Sequence, residues 1–489
     1  MERSSGVLLP VFSLPSKYGI GTFGREARKF IKFLETCGVK YWQMLPLYPT
    51  SYGDSPYQSF SAFALNPYFI DLEELVNHGL LTKEDVEELN IRYTRDVDYA
   101  YIYEHKFVVL RRAFERFDRE TKAYVTFKRM HKKWVKDYAR FMVIKGMFNG
   151  KSWQEWPVEY RIRKKKVLAQ VDEEKKDEIE FWCFLQYVVN VQYKKLRRFA
   201  KSHNVKIIGD IPIYVALDSA DVWSNYSSFK LDRLRRPTGV AGVPPDYFSK
   251  TGQLWGNPLY DYEKMAKNNY KWWRERIKAC TKYFDVLRID HFRGMESYWE
   301  VPYGEETAIN GEWKKGPGMG LVNAINESKG DMEIIAEDLG FLTDEVRELK
   351  NQSGWPGLAI YEFAFDSFNP GDPYLPENYT ENLVAYIGTH DNDTLQGFID
   401  EHDNLHEYMR TNLGIWHDEE IYDRMMHNLF NSKANLVLVT MQDVMKEGSE
   451  YRINTPGTAS GNWTYRLSKT YNNEETRSYL TNLVREGNR

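Results

Sequence analysis

The chain has 489 residues, 42% hydrophobic and 28% charged, enough for one large barrel with insertions or for two to three ordinary domains around sizeable cores. A formal net charge of −4 argues against nucleic acid or an anionic membrane as the principal partner. The three cysteines (Cys37, Cys183, Cys280) are far apart and lack CxxC spacing, which excludes a disulfide framework or a cysteine-rich zinc site and fits a reducing compartment.

The opening MERSSGVLLPVFSL is interrupted by Pro10 and has no small-residue cleavage pattern, so no secretory leader is expected. No stretch approaches the ~18 apolar residues of a membrane span. A cytoplasmic protein, monomeric or weakly homo-oligomeric, is the expectation. A first near-continuously apolar run covers Gly6–Phe12. Ala27, Phe30, Ile31, Leu34 and Cys37 then follow helical spacing, and Gly38 supplies the stop. A second apolar run, Lys40–Leu47, is separated from the third, Val205–Ile211, by far more chain than a crossover needs. Most of that interval reads as charged helix. Its runs RIRKKK (Arg161–Lys166) and DEEKKDE (Asp172–Glu178) carry opposite signs, as a solvated helical face does.

After a loop-rich stretch, about 216–260, Tyr270, Trp273, Ile277 and Cys280 mark a helix leading into the fourth run, Phe284–Asp290. Met332–Glu337 follows, then a helix that Thr343 could cap. The remaining runs are Leu358–Phe363, Leu383–Thr389 and Leu436–Met441. Leu480, Leu483 and Val484 give the last helix an apolar stripe. Eight unalternating strands with helical crossovers predict a (β/α)8 TIM barrel, with a large helical insertion after strand 2 and loop-rich insertions around the C-terminal face. The expected units are residues 1–80 as the first part of the barrel, 81–200 as an inserted mainly helical subdomain, and 201–489 as the rest of the barrel.

Four acids lie at or just past apolar runs: Asp210, Asp290, Glu337 and Asp391. Barrel enzymes aim their chemistry from such strand ends, and paired carboxyl groups of unlike ionisation suit glycosidic-bond cleavage. Arg288, two residues before Asp290 on the same strand face, can hold that carboxylate ionised, although an Asp–Arg pair can also be purely structural. Glu337, behind Ile334 and Ile335, is the candidate proton donor, with a capping or salt-bridging role as the alternative. Asp391 stands beside His390, and His291 follows Asp290; neutral imidazoles there would suit sugar hydroxyls, while a lone histidine is more often a rim or core residue. The cluster THDND also has metal-ligand chemistry, but its groups are too contiguous to surround one ion. Neither a metal nor any cofactor is expected.

Read together, GDIPIYV, LRIDHFRG, AEDLG and IGTHDND resemble the four sequence regions of the α-amylase superfamily. The segments Ser51–Leu72, Gly242–Tyr262 and Asn454–Arg466 narrow the likeness to the amylomaltase or disproportionating-enzyme family, the 4-α-glucanotransferases of glycoside hydrolase family 77. This resemblance implies Asp290 as nucleophile, Glu337 as general acid/base and Asp391 as transition-state stabiliser. It implies sugar contacts from Asp210, Arg288, His291 and His390, a sugar-binding rim from Tyr52, Asp54, Ser55, Gln253 and Trp255, and a lid at Gly242–Phe248. The expected substrates are α-1,4-glucans and malto-oligosaccharides, with glucose as an acceptor. The first region ends DIPIYV, without the Asn-His pair of true amylases, which removes part of the usual calcium expectation. A catalytically dead glucan-binding barrel and a metal-dependent hydrolase built on THDND remain the rival readings.

Overall fold

The computed structural model describes all residues except 52, 90–93, 246–248, 341, 366–368 and 459. Eight parallel strands form one sheet: β1 (Ser4–Leu8), β2 (Tyr41–Gln43), β3 (Lys206–Pro212), β6 (Val286–Asp290), β9 (Glu333–Ala336), β10 (Gly357–Ile360), β11 (Leu383–Tyr386) and β12 (Leu436–Thr440). Their spatial order is β10-β11-β12-β1-β2-β3-β6-β9. The sheet closes between β9 and β10, where the Ala336 N–H donates to the Pro356 carbonyl at 2.9 Å. It is the expected (β/α)8 TIM barrel.

Every expected run contributes one strand, but several strands are shorter than the run. Pro10 has no N–H to donate, so β1 stops at Leu8 and residues Val11–Ser13 turn into a 3-10 helix. After Ile360 the chain likewise tightens into a 3-10 segment, Tyr361–Phe365. Close approach inside the barrel dictates two glycines. A Cβ on Gly6 would lie 2.5 Å from Leu438 Cδ2, and one on Gly209 would lie 2.3 Å from the Phe284 ring.

The expected helices form at Arg25–Thr36, Lys271–Cys280, Asp344–Ser353 and Glu474–Glu486. Thr343 occupies the N-cap position of the third, yet its hydroxyl makes no capping bond to the backbone; it faces the Glu345 carboxylate instead. Between β2 and β3 the chain runs through helices Tyr99–Glu115, Lys122–Met130, Val135–Met147 and Lys165–Glu174 into the 27-residue helix Lys176–Ser202. That last helix is bonded on one side to the barrel: Gln186 and Gln192 each clasp both backbone groups of one residue, Leu65 and Asp71 respectively, at 2.7–3.0 Å. Arg111 reaches it from the other side, pairing with Glu178 at 2.6 Å.

The stretch read as loop-rich contains regular structure. β4 (Gly239–Val243) and β5 (Gln253–Pro258) pair antiparallel with each other, and β7 (Ser297–Pro302) and β8 (Glu312–Lys315) extend them into a four-stranded sheet of order β5-β4-β7-β8. It carries Gln253 and Trp255 to the C-terminal rim. Among the described residues, no helix is long and apolar enough to cross a membrane.

Candidate active site

The register of β3 against β6 sets Asp210 opposite Arg288 and Pro212 opposite Asp290. Because side chains two apart on a strand share a face, Arg288 and Asp290 project together. The Arg288 guanidinium bridges two acids: Nη1 reaches Asp210 Oδ1 and Oδ2 at 2.9 and 2.8 Å, and Nη2 reaches Asp290 Oδ1 at 2.9 Å. Burial works against its charge, and the two carboxylates outweigh that cost and hold it firmly protonated. Asp210 is wholly buried, while the Asp290 side chain is 31% exposed. Only the second can be reached from solvent. Burial pushes the Asp210 carboxyl up, with Arg288 opposing, and the Tyr57 hydroxyl donates to its Oδ2 at 2.9 Å.

After Asp290 the chain enters the left-handed region at His291, φ 57°. That conformation costs a non-glycine residue on the order of 1 kcal/mol. It aims the His291 N–H at Glu337, whose Oε2 accepts at 2.6 Å; the Leu339 N–H donates to Oε1 at 2.9 Å. Both bonds favour an ionised carboxylate, but burial and the neighbouring Asp290 charge prevail and push Glu337 up to about 7. Burial likewise pulls His291 down to about 4, so its ring is neutral near pH 7. The two neighbouring carboxyl groups thus have unlike surroundings, Asp290 ion-paired to Arg288 and Glu337 pushed toward neutrality.

Asp391 approaches from the far side, beyond the end of β11. Its Oδ1 accepts from Asn454 Nδ2 at 2.6 Å, and its backbone carbonyl accepts from Arg452 at 2.6 Å. The His390 Nε2 lies 3.4 Å from Asp391 Oδ2, and the imidazole stacks on Tyr57 with centroids 5.2 Å apart. Trp463 leans on both rings, and the Trp255 indole meets His291 edge-on at 4.8 Å.

A cavity of 330 Å³ brings Ser55, Gln253, Trp255, Asp290, His291, His390 and Asp391 onto one wall system. Asp210, Arg288 and Glu337 are not among its lining residues: Arg288 joins Asp210 to Asp290, and Glu337 accepts from the His291 N–H. Asp54 is not among its lining residues; Tyr52, and Asp246, Tyr247 and Phe248 of the expected lid, fall outside the described residues. Tyr57, Asn257, Asn454 and Trp463 also line it, and no motif in the sequence assigns any of the four a role by itself. Among the described residues, no group of three His, Cys, Asp or Glu side chains is arranged to hold a metal ion.

The sequence profile described as 4-alpha-glucanotransferase matches residues 9–471. A 4-alpha-glucanotransferase of Clostridium butyricum is 47% identical, covering 97% of this chain and 98% of its own length. One from Thermus thermophilus is 44% identical over 96% of this chain and 95% of its own. Among solved structures, an amylomaltase from Streptococcus agalactiae in complex with acarbose superposes with a TM-score of 0.96 at 38% identity, covering 100% of both chains. An amylomaltase from Corynebacterium glutamicum, at 18% identity, shares the fold with a TM-score of 0.80, covering 98% of this chain and 75% of that one.

Proposed function

The chain belongs to the 4-alpha-glucanotransferase family and is a glycosyltransferase, and on that premise we propose that it moves segments of α-1,4-glucans by a two-step, retaining displacement centred on Asp290 and Glu337. In the first step an Asp290 carboxylate oxygen bonds to the anomeric carbon as the bond to the departing 4-oxygen breaks. Glu337 gives its proton to that oxygen. In the second step the 4-hydroxyl of a glucan or glucose acceptor attacks the same carbon, its proton passes to Glu337, and Asp290 is released. Two inversions restore the α-linkage.

One observation carries this reading: the Glu337 carboxyl is half-buried, pushed up to about 7, and hydrogen-bonded to the residue that follows Asp290. An acid and a nucleophile side by side, in opposite ionisation states, are what the first step consumes. Arg288 holds the Asp290 carboxylate in an ion pair, and the Asp391 carboxylate, 45% exposed, binds sugar hydroxyls and favours positive charge at the anomeric centre. Asp210 acts through Arg288. The rings of Tyr57, Trp255 and Trp463 supply faces for glucose units and exclude water while the covalent intermediate waits for an acceptor. The complex of the Streptococcus agalactiae amylomaltase with acarbose supports an α-glucan as the substrate.

Incubation with pure maltotriose tests the reading. Wild type is expected to give glucose and longer chains with the number of reducing ends unchanged, and Asp290→Ala to lose transfer by about 10³-fold or more. Net release of reducing ends would make the protein a hydrolase. Near-native transfer by Asp290→Ala would remove Asp290 from the nucleophile role.

A further inference from the structure

A further strand-end acid takes no part in the steps above. Glu362 follows β10, is 3% exposed, and its Oε1 is buried without a hydrogen-bond partner. It sits directly under the segment that carries His390 and Asp391: a Cβ on Gly388 would lie 2.8 Å from Glu362 Oε1 and 2.9 Å from Asn392 Cβ. Only glycine lets the loop settle so low on this carboxyl.

A run of polar contacts leads from it to Asp391, hydrogen-bonded from Asn392 onward. The Asn392 side chain faces the Glu362 carboxyl, and both close on the space that a Cβ on Gly388 would fill. Asn392 Oδ1 accepts from both the N–H and the hydroxyl of Thr389, each at 3.0 Å, which leaves its amide NH2 as the group able to donate to Glu362. Having given its proton to Asn392, the Thr389 hydroxyl oxygen accepts from the Asp391 N–H at 3.3 Å. From the other side Arg452 and Asn454 hold the Asp391 carbonyl and carboxylate. We propose that Glu362 is a positioning residue for transfer, fixing the orientation of Asp391 through Asn392 and Thr389. The inference rests on the reading of Asp391 as a sugar-contacting group.

The surroundings show which form of Glu362 does this. Burial, then the charges of Asp443 and Asp393, push its carboxyl well above the ordinary range, with Asn392 and Arg452 opposing. Those two acids are already committed, Asp443 to the Leu395 N–H at 2.8 Å and the Thr440 hydroxyl at 2.7 Å, and Asp393 to the Thr394 N–H and the Ser449 hydroxyl, both at 2.7 Å. Burial and the two acids together favour the neutral form of Glu362, and its shape and acceptor oxygen, rather than a charge, are what the chain uses.

The test compares Glu362→Gln, Glu362→Ala, Asn392→Ala and Asp391→Asn for kcat, KM and Tm on maltotriose. Glu362→Gln, neutral and of the same shape, should stay within about threefold of wild type. Glu362→Ala and Asn392→Ala should each lower kcat by about tenfold to a hundredfold with KM nearly unchanged, as misplacing a reacting group does. Their combination should be no worse than the worse single variant, because both interrupt one chain. Near-native kcat per folded molecule in Glu362→Ala, or Glu362→Gln as impaired as Glu362→Ala, would overturn the proposal. If Glu362→Ala does not fold, the contrast between Glu362→Gln and Asn392→Ala decides. A near-native Asp391→Asn would retire the role given to Asp391 and this inference with it, whereas an inactive Asp391→Asn beside a fully active Glu362→Ala retires the inference alone.

Discussion

Glu337 bears a cost that its proposed role explains. Its carboxyl is held at about 7 in the fold against an ordinary value of 4.5, so the folded chain binds a proton that the unfolded chain releases first. Below about pH 4.5 both states are protonated and nothing is lost. As pH rises toward 7 the unfolded state gains stability relative to the folded one, up to a ceiling on the order of 3 kcal/mol. Glu337→Gln removes this penalty. It should raise Tm little at pH 4.5 and by several degrees at pH 8, while lowering transfer by about 10²-fold or more; equal Tm gains at both values would contradict the burial of this acid. In wild type, kcat/KM should decline above about pH 7 as Glu337 loses its proton. The acids were legible in the sequence because each follows an apolar run. Tyr57 was not: it is one of 34 tyrosines, and its bond to Asp210 joins residues 153 positions apart. Asn454 likewise acquires its meaning only from the fold that sets it against Asp391.

Among the elements, the buried strands could be read because covering on both faces leaves near-continuous apolar runs. The antiparallel sheet β5-β4-β7-β8 could not: three of the five residues of GVAGV are Gly or Ala, and EWKK is largely solvent-facing, so neither shows the period of a half-buried strand. Helix Lys176–Ser202 lay in the charged tract assigned to an insertion, and polar residues inside it do structural work. Gln186 accepts from the Leu65 N–H and donates to the Leu65 carbonyl, a pairing fully buried under the β2 rim. Gln186→Leu keeps the volume but strands both backbone groups, and should lower the stability measured by urea unfolding by about 2–4 kcal/mol. A loss below about 0.5 kcal/mol would mean that water reaches Leu65.

At the scale of the whole molecule, the proposed chemistry depends on convergence. Residues from the ends of β3, β6 and β11 and from the segment after β12 line one cavity, with Glu337 after β9 bonded to His291 of its wall, because the strands are parallel and the sheet closes on itself. The helices between β2 and β3 stand against that frame through Lys176–Ser202, so bundle and barrel share an element. Asp290 is exposed to the cavity, Arg288 pairs with it, and Glu337 stands one backbone bond away. The most direct test is to trap what this arrangement should make. Glu337→Gln lacks the base of the second step, while α-maltosyl fluoride has a leaving group that needs no proton, so mixing the two should accumulate a maltosyl-enzyme. Peptide mass spectrometry should find the maltosyl group on the peptide containing Asp290, linked through its side chain. A sugar attached elsewhere, or turnover to a β-configured product with no adduct, would contradict a covalent displacement at Asp290.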